Sequence, residues 1–289
     1  MLSILNNISS LQAQNSFNMS ATSLGKTLQQ LSTGQRINSG ADDAAGLAIA
    51  NGLQANVTAL TQSVQNASDG VGMLQVADGA LSQITTLLNR AVTLATEAST
   101  GTVSNQQRTS LDAEFQSITT EINTIGQKTT YNGAAVFAAG TLTVFMSDSS
   151  GAGTTSVGVA MVTVDAGHLN GVSLTADALT TSGAATTALG DINTAIADVA
   201  SLRGTLGASS NQLQAATNVM NNQITNVQNA ESGIMDANIG TTTANLSKYQ
   251  ILQQTGIAAL QQSNQMSQSV LKLLPVSYTH LTLPTNREV

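Results

Sequence analysis

The sequence predicts a mainly α fold: an elongated antiparallel helical rod with coiled-coil packing, plus a small β-rich insertion in the middle of the chain. Three observations carry that expectation. Two long series of residues keep four-three spacing, no proline interrupts residues 1 to 274, and aromatics are only 2% of the chain. Long thin helical layers suit such a composition better than one thick core.

At the start, Ile4, Ile8 and Leu11, then Leu24, Leu28 and Leu31, mark weakly amphipathic helix. Gln, Asn, Ser and Thr fill the positions between them. Little ion pairing can support such a segment alone, so it is expected to order only when packed. A neutral polar face can also be buried against identical copies without like-charge repulsion.

The stretch "LSTGQRINSGADDAAGLAIA", residues 31 to 50, reads as a joint. Ser39 and Asp42 stand in S-x-x-D spacing before an apolar run, which predicts a capping box, with Asp42 and Asp43 at the positive end of the helix dipole. Gly34 and Gly40 flank Arg36, which the cap does not explain. Arg36 either contacts a neighbouring subunit or faces solvent.

The first long series runs Leu53, Val57, Leu60, Val64, Ala67, Val71, Leu74, Asp78, Leu81, Thr85, Leu88, Val92 and Ala95. Only Asp78 and Thr85 interrupt its apolar seam. The second runs Leu189, Ile192, Ile196, Val199, Arg203, Leu206, Ser210, Leu213, Thr217, Met220, Ile224, Val227, Glu231 and Ile234. As helices they would be rods of roughly 65 and 69 Å, matched in length and able to bury their seams together. A third helix over Leu111, Phe115, Ile118, Ile122 and Ile125 closes the bundle. With Leu88, Val92 and Ala95 facing inward, Arg90 and Leu94 fall on the outer face of the rod.

Between the rods, about residues 129 to 185, the pattern changes. Asn132-Gly133 marks a tight turn, and "TLTVFMSDSSGAGTTSVGVAMVTVDAG" alternates like two strands around a Gly/Ser loop. The end of the chain returns to weak amphipathic helix through Ile239, Leu246, Tyr249, Leu252, Ile257, Leu260, Val270, Leu271 and Leu274. Residues 275–289 hold both prolines and a β-type pattern, and are read as foreign to the rest.

Several functions are excluded or disfavoured. There is no cysteine, hence no disulfide or thiolate site. Nine Lys/Arg against sixteen Asp/Glu, with no basic cluster, argue against nucleic acid as a partner. No apolar run of 18 exists for membrane insertion, and no secretory signal precedes the first basic residue, Lys26. Of the two histidines, His168 stands alone and the other lies in the foreign tail, so no Ser-His-Asp set and no metal or cofactor site is expected. "GVG" at 70–72 is a weak nucleotide fingerprint without a preceding strand. The chain is not expected to be an enzyme.

The stretches "LSTGQRINSGADDAAGLAIANGLQANVTALTQSVQNASDGVGMLQVADGALSQI" and "GQKTTYNG", with the terminal L-x-L-L, closely resemble bacterial flagellin. The likeness runs through residues 1–128 and 186–274. It implies a secreted subunit that polymerises with itself into the extracellular flagellar filament for motility. Residues 1–41 and 236–274 would be the terminal coiled-coil inner-tube region, 42–128 and 186–235 the helical rod domain, and 129–185 a short variable insertion. The implied polymerisation residues are Ile4, Ile8, Leu11, Leu24, Leu28, Leu31, Arg36, Leu246, Tyr249, Ile257, Leu260, Leu271 and Leu274. The implied partners are the flagellar export apparatus and export chaperone, the filament cap and hook-junction proteins. Family members recognised by Toll-like receptor 5 further imply a receptor contact at Arg90, Leu94 and Glu114. The alternatives are a flagellin-like hook–filament junction protein and, without the R-I-N-S and D-D-A-A-G motifs, an unrelated adhesin or coiled-coil stalk.

Overall fold

A computed structural model of the chain describes residues 7–147, 155–167 and 173–273, the side chains of 155 and 270–273 excepted. Ile4, His168, Leu274 and the 275–289 tail lie outside the described residues, as do the side chains of Val270 and Leu271. The elements are α1 (Ile8–Thr33), α2 (Ala44–Ser99), α3 (Asn105–Lys128), β1 (Thr130–Tyr131), β2 (Ala134–Ala135), β3 (Gly140–Met146), β4 (Thr155–Met161), α4 (Ser182–Met235) and α5 (Ile239–Leu273). The fold is mainly α, with two small antiparallel sheets. Two compact units divide it: residues 1–51 with 231–289, and residues 52–230.

In the unit 52–230, α2 lies antiparallel to both α3 and α4. Ser182 Oγ donates to the Ser99 carbonyl at 2.6 Å, Arg203 meets Asp78, and a Cβ added at Gly70 would lie 3.3 Å from Leu213. On the other side, Arg108 reaches the Ala98 carbonyl and Arg90 reaches Glu114. The three helices share one core from Leu60 to Met220.

Half of the first predicted seam is displaced by one residue. Leu60, Ala67, Leu74, Leu81, Leu88 and Ala95 are buried as expected. Between them the helix buries Ser63, Gly70, Ala77, Ile84 and Ala91, while their neighbours Val64, Val71, Asp78, Thr85 and Val92 are only half-buried. Apolarity points to the valines, but four of the five buried residues are small, and small residues let another backbone approach. In α4 the second series is buried or half-buried throughout. The interruption at Asp78 is answered there, because Arg203 Nε and Nη2 donate to its two carboxylate oxygens at 2.7 and 3.2 Å.

The insertion holds two hairpins. β1 and β2 pair Thr130 with Ala135 and Tyr131 with Ala134, leaving Asn132 (φ 48°) and Gly133 (φ 80°) as a two-residue turn. Positive φ at both positions is what makes Asn-Gly the favoured pair there. β3 and β4 pair Val144 with Val157 and Leu142 with Val159. Their alternation buries Val144, Met146, Val157, Val159 and Met161. The Gly70-Val71-Gly72 run, the weak nucleotide fingerprint, is a packing site. A Cβ at Gly70 would lie 2.8 Å from Val144 Cγ2, and one at Gly72 3.1 Å from the Tyr131 hydroxyl.

Gly126, near the end of α3, is tighter still. A Cβ there would lie 1.6 Å from the Val164 carbonyl oxygen, which is main chain and cannot rotate away. Gly126→Ala is therefore expected to destabilise the protein by about 3 kcal/mol or more. Gly79→Ala, exposed in α2 with nothing within 4 Å, should instead stabilise it by ~0.5–1 kcal/mol through helix propensity. Thermal denaturation of the two variants decides; shifts of the same sign would overturn this account.

Candidate functional site

The joint after α1 is tied to the chain at 234–237. Gly34 ends α1 in the left-handed conformation (φ 73°), and its amide donates to the Gln30 carbonyl. The Arg36 amide donates to the Met235 carbonyl at 2.6 Å, and the Ala237 amide donates back to the Gly34 carbonyl at 2.8 Å. Arg36 Nη2 donates to the Ile234 carbonyl at 2.7 Å, and Gln30 Nε2 to the Arg36 carbonyl at 2.8 Å. Arg36 is exposed, yet within this chain it is a clasp between two joints, which neither sequence alternative anticipated.

The expected capping box is also redistributed. Asp43, not Ser39, caps α2: its Oδ1 accepts from the Gly46 amide at 2.8 Å. Asp42 turns back, where its Oδ2 accepts from the Asn38 amide, the Ser39 amide and the Ser39 hydroxyl, and its Oδ1 meets Lys26 Nζ at 2.7 Å. Ile37 is buried beneath them. Gly46 leaves it room, since a Cβ there would lie 2.8 Å from Ile37 Cδ1.

In the same unit α1 and α5 pair antiparallel, with Asn7 bonded to Ser263 and Ser267 and Phe17 packed against Gly256. Little is buried between them. Among the described residues of this unit the buried apolar side chains are Ile37 and Ala50, and the buried polar ones are Thr27 and Thr242. Ten of the fourteen large apolar side chains exposed among the described residues lie here, Ile8 at 68%, Met19 at 72% and Ile251 at 62% being the most open. Of the predicted polymerisation residues, Ile8, Leu11, Leu28, Arg36 and Ile257 are exposed, and Leu24, Leu31, Leu246, Tyr249 and Leu260 are half-buried. The hydroxyls around them turn inward: Ser20, Thr22, Thr33, Thr243, Ser247 and Thr255 each donate to the carbonyl four residues earlier. Such back-bonding satisfies the donor within its own helix.

On the unit 52–230, Arg90 Nη2 and Nε both reach Glu114 Oε1 at 2.7 Å, and both side chains are about half exposed. Leu94 does not share that surface. At 1% exposure it belongs to the core, because it lies between Ala91 and Ala98 on the same buried face, three residues from one and four from the other. The expectation that Leu94 stands on the outer face is corrected.

Among the described residues there is no cluster of three or more His, Asp or Glu able to hold a metal ion, and no helix is long and apolar enough to cross a membrane. The bacterial flagellin N-terminal helical region matches residues 4–141, and the bacterial flagellin C-terminal helical region matches residues 189–274. The chain belongs to the bacterial flagellin family. Flagellin 1 of Proteus mirabilis is 45% identical over 130 residues, 45% of this chain and 36% of that one. A flagellin of Escherichia coli is 37% identical over 178 residues, 61% of this chain and 32% of that one. This flagellin thus spans about a third of the length of the curated relatives it matches. A crystal structure of Bacillus cereus flagellin aligns with 54% of this chain and 88% of its own, at 28% identity and a TM-score of 0.46.

Sequence reasoning missed the Lys26–Asp42 bridge because its partners are sixteen residues apart on either side of the joint, beyond any helical spacing. Lys26 first, then the Asn38 amide and the Ser39 hydroxyl, lower the Asp42 pKa from 3.8 to about 2. The folded protein therefore binds this proton less readily than the unfolded chain. The stabilisation is complete above about pH 4 and is lost as pH falls toward 2. A carbon-13 titration of the Asp42 carboxyl should give a midpoint near 2, moving up toward 3.8 in Lys26→Met. An ordinary midpoint in the unsubstituted protein would remove the bridge.

Proposed function

We propose that this flagellin is a structural subunit that polymerises with itself into the extracellular flagellar filament for motility, with α1 and α5 as the principal assembly surfaces. The supporting observation is the crowd of exposed apolar side chains on a helix pair that buries almost nothing of its own. Ile8, Leu11 and Met19 share one face of α1 while Leu28 lies opposite, so more than one neighbour is needed to cover them. Apolar surface on this scale marks an interaction surface. The neutral faces suit identical partners. The remaining partners of this reading follow family membership alone: the flagellar export apparatus and its chaperone, the filament cap and the hook-junction proteins.

Ile8→Asn and Ile257→Asn are expected to change monomer stability by no more than ~0.5 kcal/mol while abolishing growth of long filaments from seeds. Electron microscopy of seeded protein checks this. An unsubstituted chain that forms no long tubes would favour the hook–filament junction protein, and variants that assemble normally would move the interface elsewhere.

The Arg90–Glu114 pair favours a second reading, recognition of the monomer by Toll-like receptor 5 through a guanidinium and a carboxylate held side by side. Leu94 acts here as support from within the core. Arg90→Ala is expected to weaken binding of the receptor ectodomain with under about 1 kcal/mol lost from monomer stability. Leu94→Ala should cost ~2–5 kcal/mol of stability. Receptor binding unchanged in Arg90→Ala, or a Leu94→Ala protein that melts normally, would count against this assignment.

A further inference from the structure

The segment 173–181, between β4 and α4, crosses the core as a strap. Leu174 and Leu179 are its fully buried anchors. The Leu174 amide donates to the Ala166 carbonyl at 2.7 Å. Two side chains of α3 hold the strap from below: Gln116 Nε2 donates to the Asp177 carbonyl at 2.8 Å, and Asp112 Oδ1 accepts from the Leu179 amide at 2.7 Å. One group breaks the pattern. Asp177 Oδ2 is buried without a hydrogen-bond partner, and the group beside the Asp177 carboxyl is another carboxyl, that of Asp191 on α4. Two ionised carboxylates can only repel, and a buried acceptor facing an acceptor lacks a hydrogen.

We propose that Asp177 keeps its proton and donates it to the Asp191 carboxyl, and that this proton latches the strap to α4 as a pH-sensitive closure of the helical core. In the latched state the Asp177 carboxyl donates its O–H to an oxygen of Asp191. Loss of the proton to solvent leaves two negative charges and no donor, and the strap lifts locally.

The charged surroundings suit this device. From α4 the facing group is Asp191; α3 presents Asp112 to the strap two residues further on, where its Oδ1 is engaged by the Leu179 amide. The guanidinium of α3, Arg108, is held at the start of that helix by the Ala98 and Thr100 carbonyls and Asn105 Oδ1. Burial first, and then the charge of Asp191, push the Asp177 carboxyl up to about 6 from its usual 3.8. A raised acid stabilises the latched state fully below about pH 4, and that contribution is lost as pH rises through about 6.

Amide hydrogen exchange on the full-length monomer tests the latch without requiring assembly. After correction for intrinsic rates, protection at the Asp177 and Leu179 amides should fall on the order of 50-fold between pH 4 and pH 7, the change that titration near 6 instead of 3.8 implies. Asp177→Asn keeps a donor at every pH, so its strap should stay protected at pH 7. In Asp191→Asn the carbon-13 titration midpoint of Asp177 should drop below 6. Equal strap protection of the unsubstituted protein at both pH values, a persistent fall in Asp177→Asn, or an unmoved midpoint in Asp191→Asn would each overturn the proposal.

Discussion

The row of small side chains along α2 decides how near everything else in its unit can come. Ser63, Gly70, Ala77, Ala91 and Ala98 remove bulk at every second turn, with Ile84 the one large residue in the row. Val144 of the hairpin and Leu213 of α4 close over Gly70, and Ser63 Oγ both donates to and accepts from the main chain of Ser147. With so few aromatics available, close approach supplies the dispersion contacts that larger rings provide elsewhere. Leucines in the alternate positions then fill the remaining volume, and a polar pair such as Asp78–Arg203 is accommodated at the margin of the seam.

The other unit obeys the opposite rule. Its helices carry apolar side chains of ordinary size but leave many of them exposed, and polar contacts at Asn7 help to set the α1–α5 register beside the Phe17–Gly256 contact. Asn7 accepts from the Ser10 amide and the Ser263 hydroxyl and donates to the Ser263 carbonyl and the Ser267 hydroxyl. Polar contacts specify register more than they stabilise. One chain thus holds a unit that completes its own core and a unit that leaves most of its large apolar side chains exposed or half-buried, a division that suits the assembly proposed above.

Much of this was legible in the sequence because four-three spacing and alternation report directly on which face is buried. The helices, the two hairpins and the Asn132-Gly133 turn all follow from such local patterns. The errors arose where burial is decided by approach rather than by hydrophobicity. Leu94 reads as an exposed leucine only while Val92 is taken to point inward; once Ala91 is the inward residue, Leu94 turns with it. Gly126 carries no local sign of the Val164 carbonyl above it, because the two are brought together by the whole insertion. Asp43 takes the capping role expected of Ser39, while Asp42 bonds back to Ser39 and to a lysine on the previous helix. Asp177 and Asp191 give no periodic signal, and only the folded strap sets them side by side.

The clasp at the joint has an asymmetry with its own consequence. Arg36 and Gln30 contribute side chains, whereas the groups they address, the carbonyls of Ile234 and of Arg36 itself, are main chain, as are the bonds joining Gly34 to Ala237 and Arg36 to Met235. The joint therefore recognises the path of the opposite strand and not the identity of its residues. Positions 234 and 235 can change side chain without a compensating change at 36, while residue 36 must keep a long, forked donor. In genetic terms, the two halves of the joint are coupled in shape but free of one another in sequence.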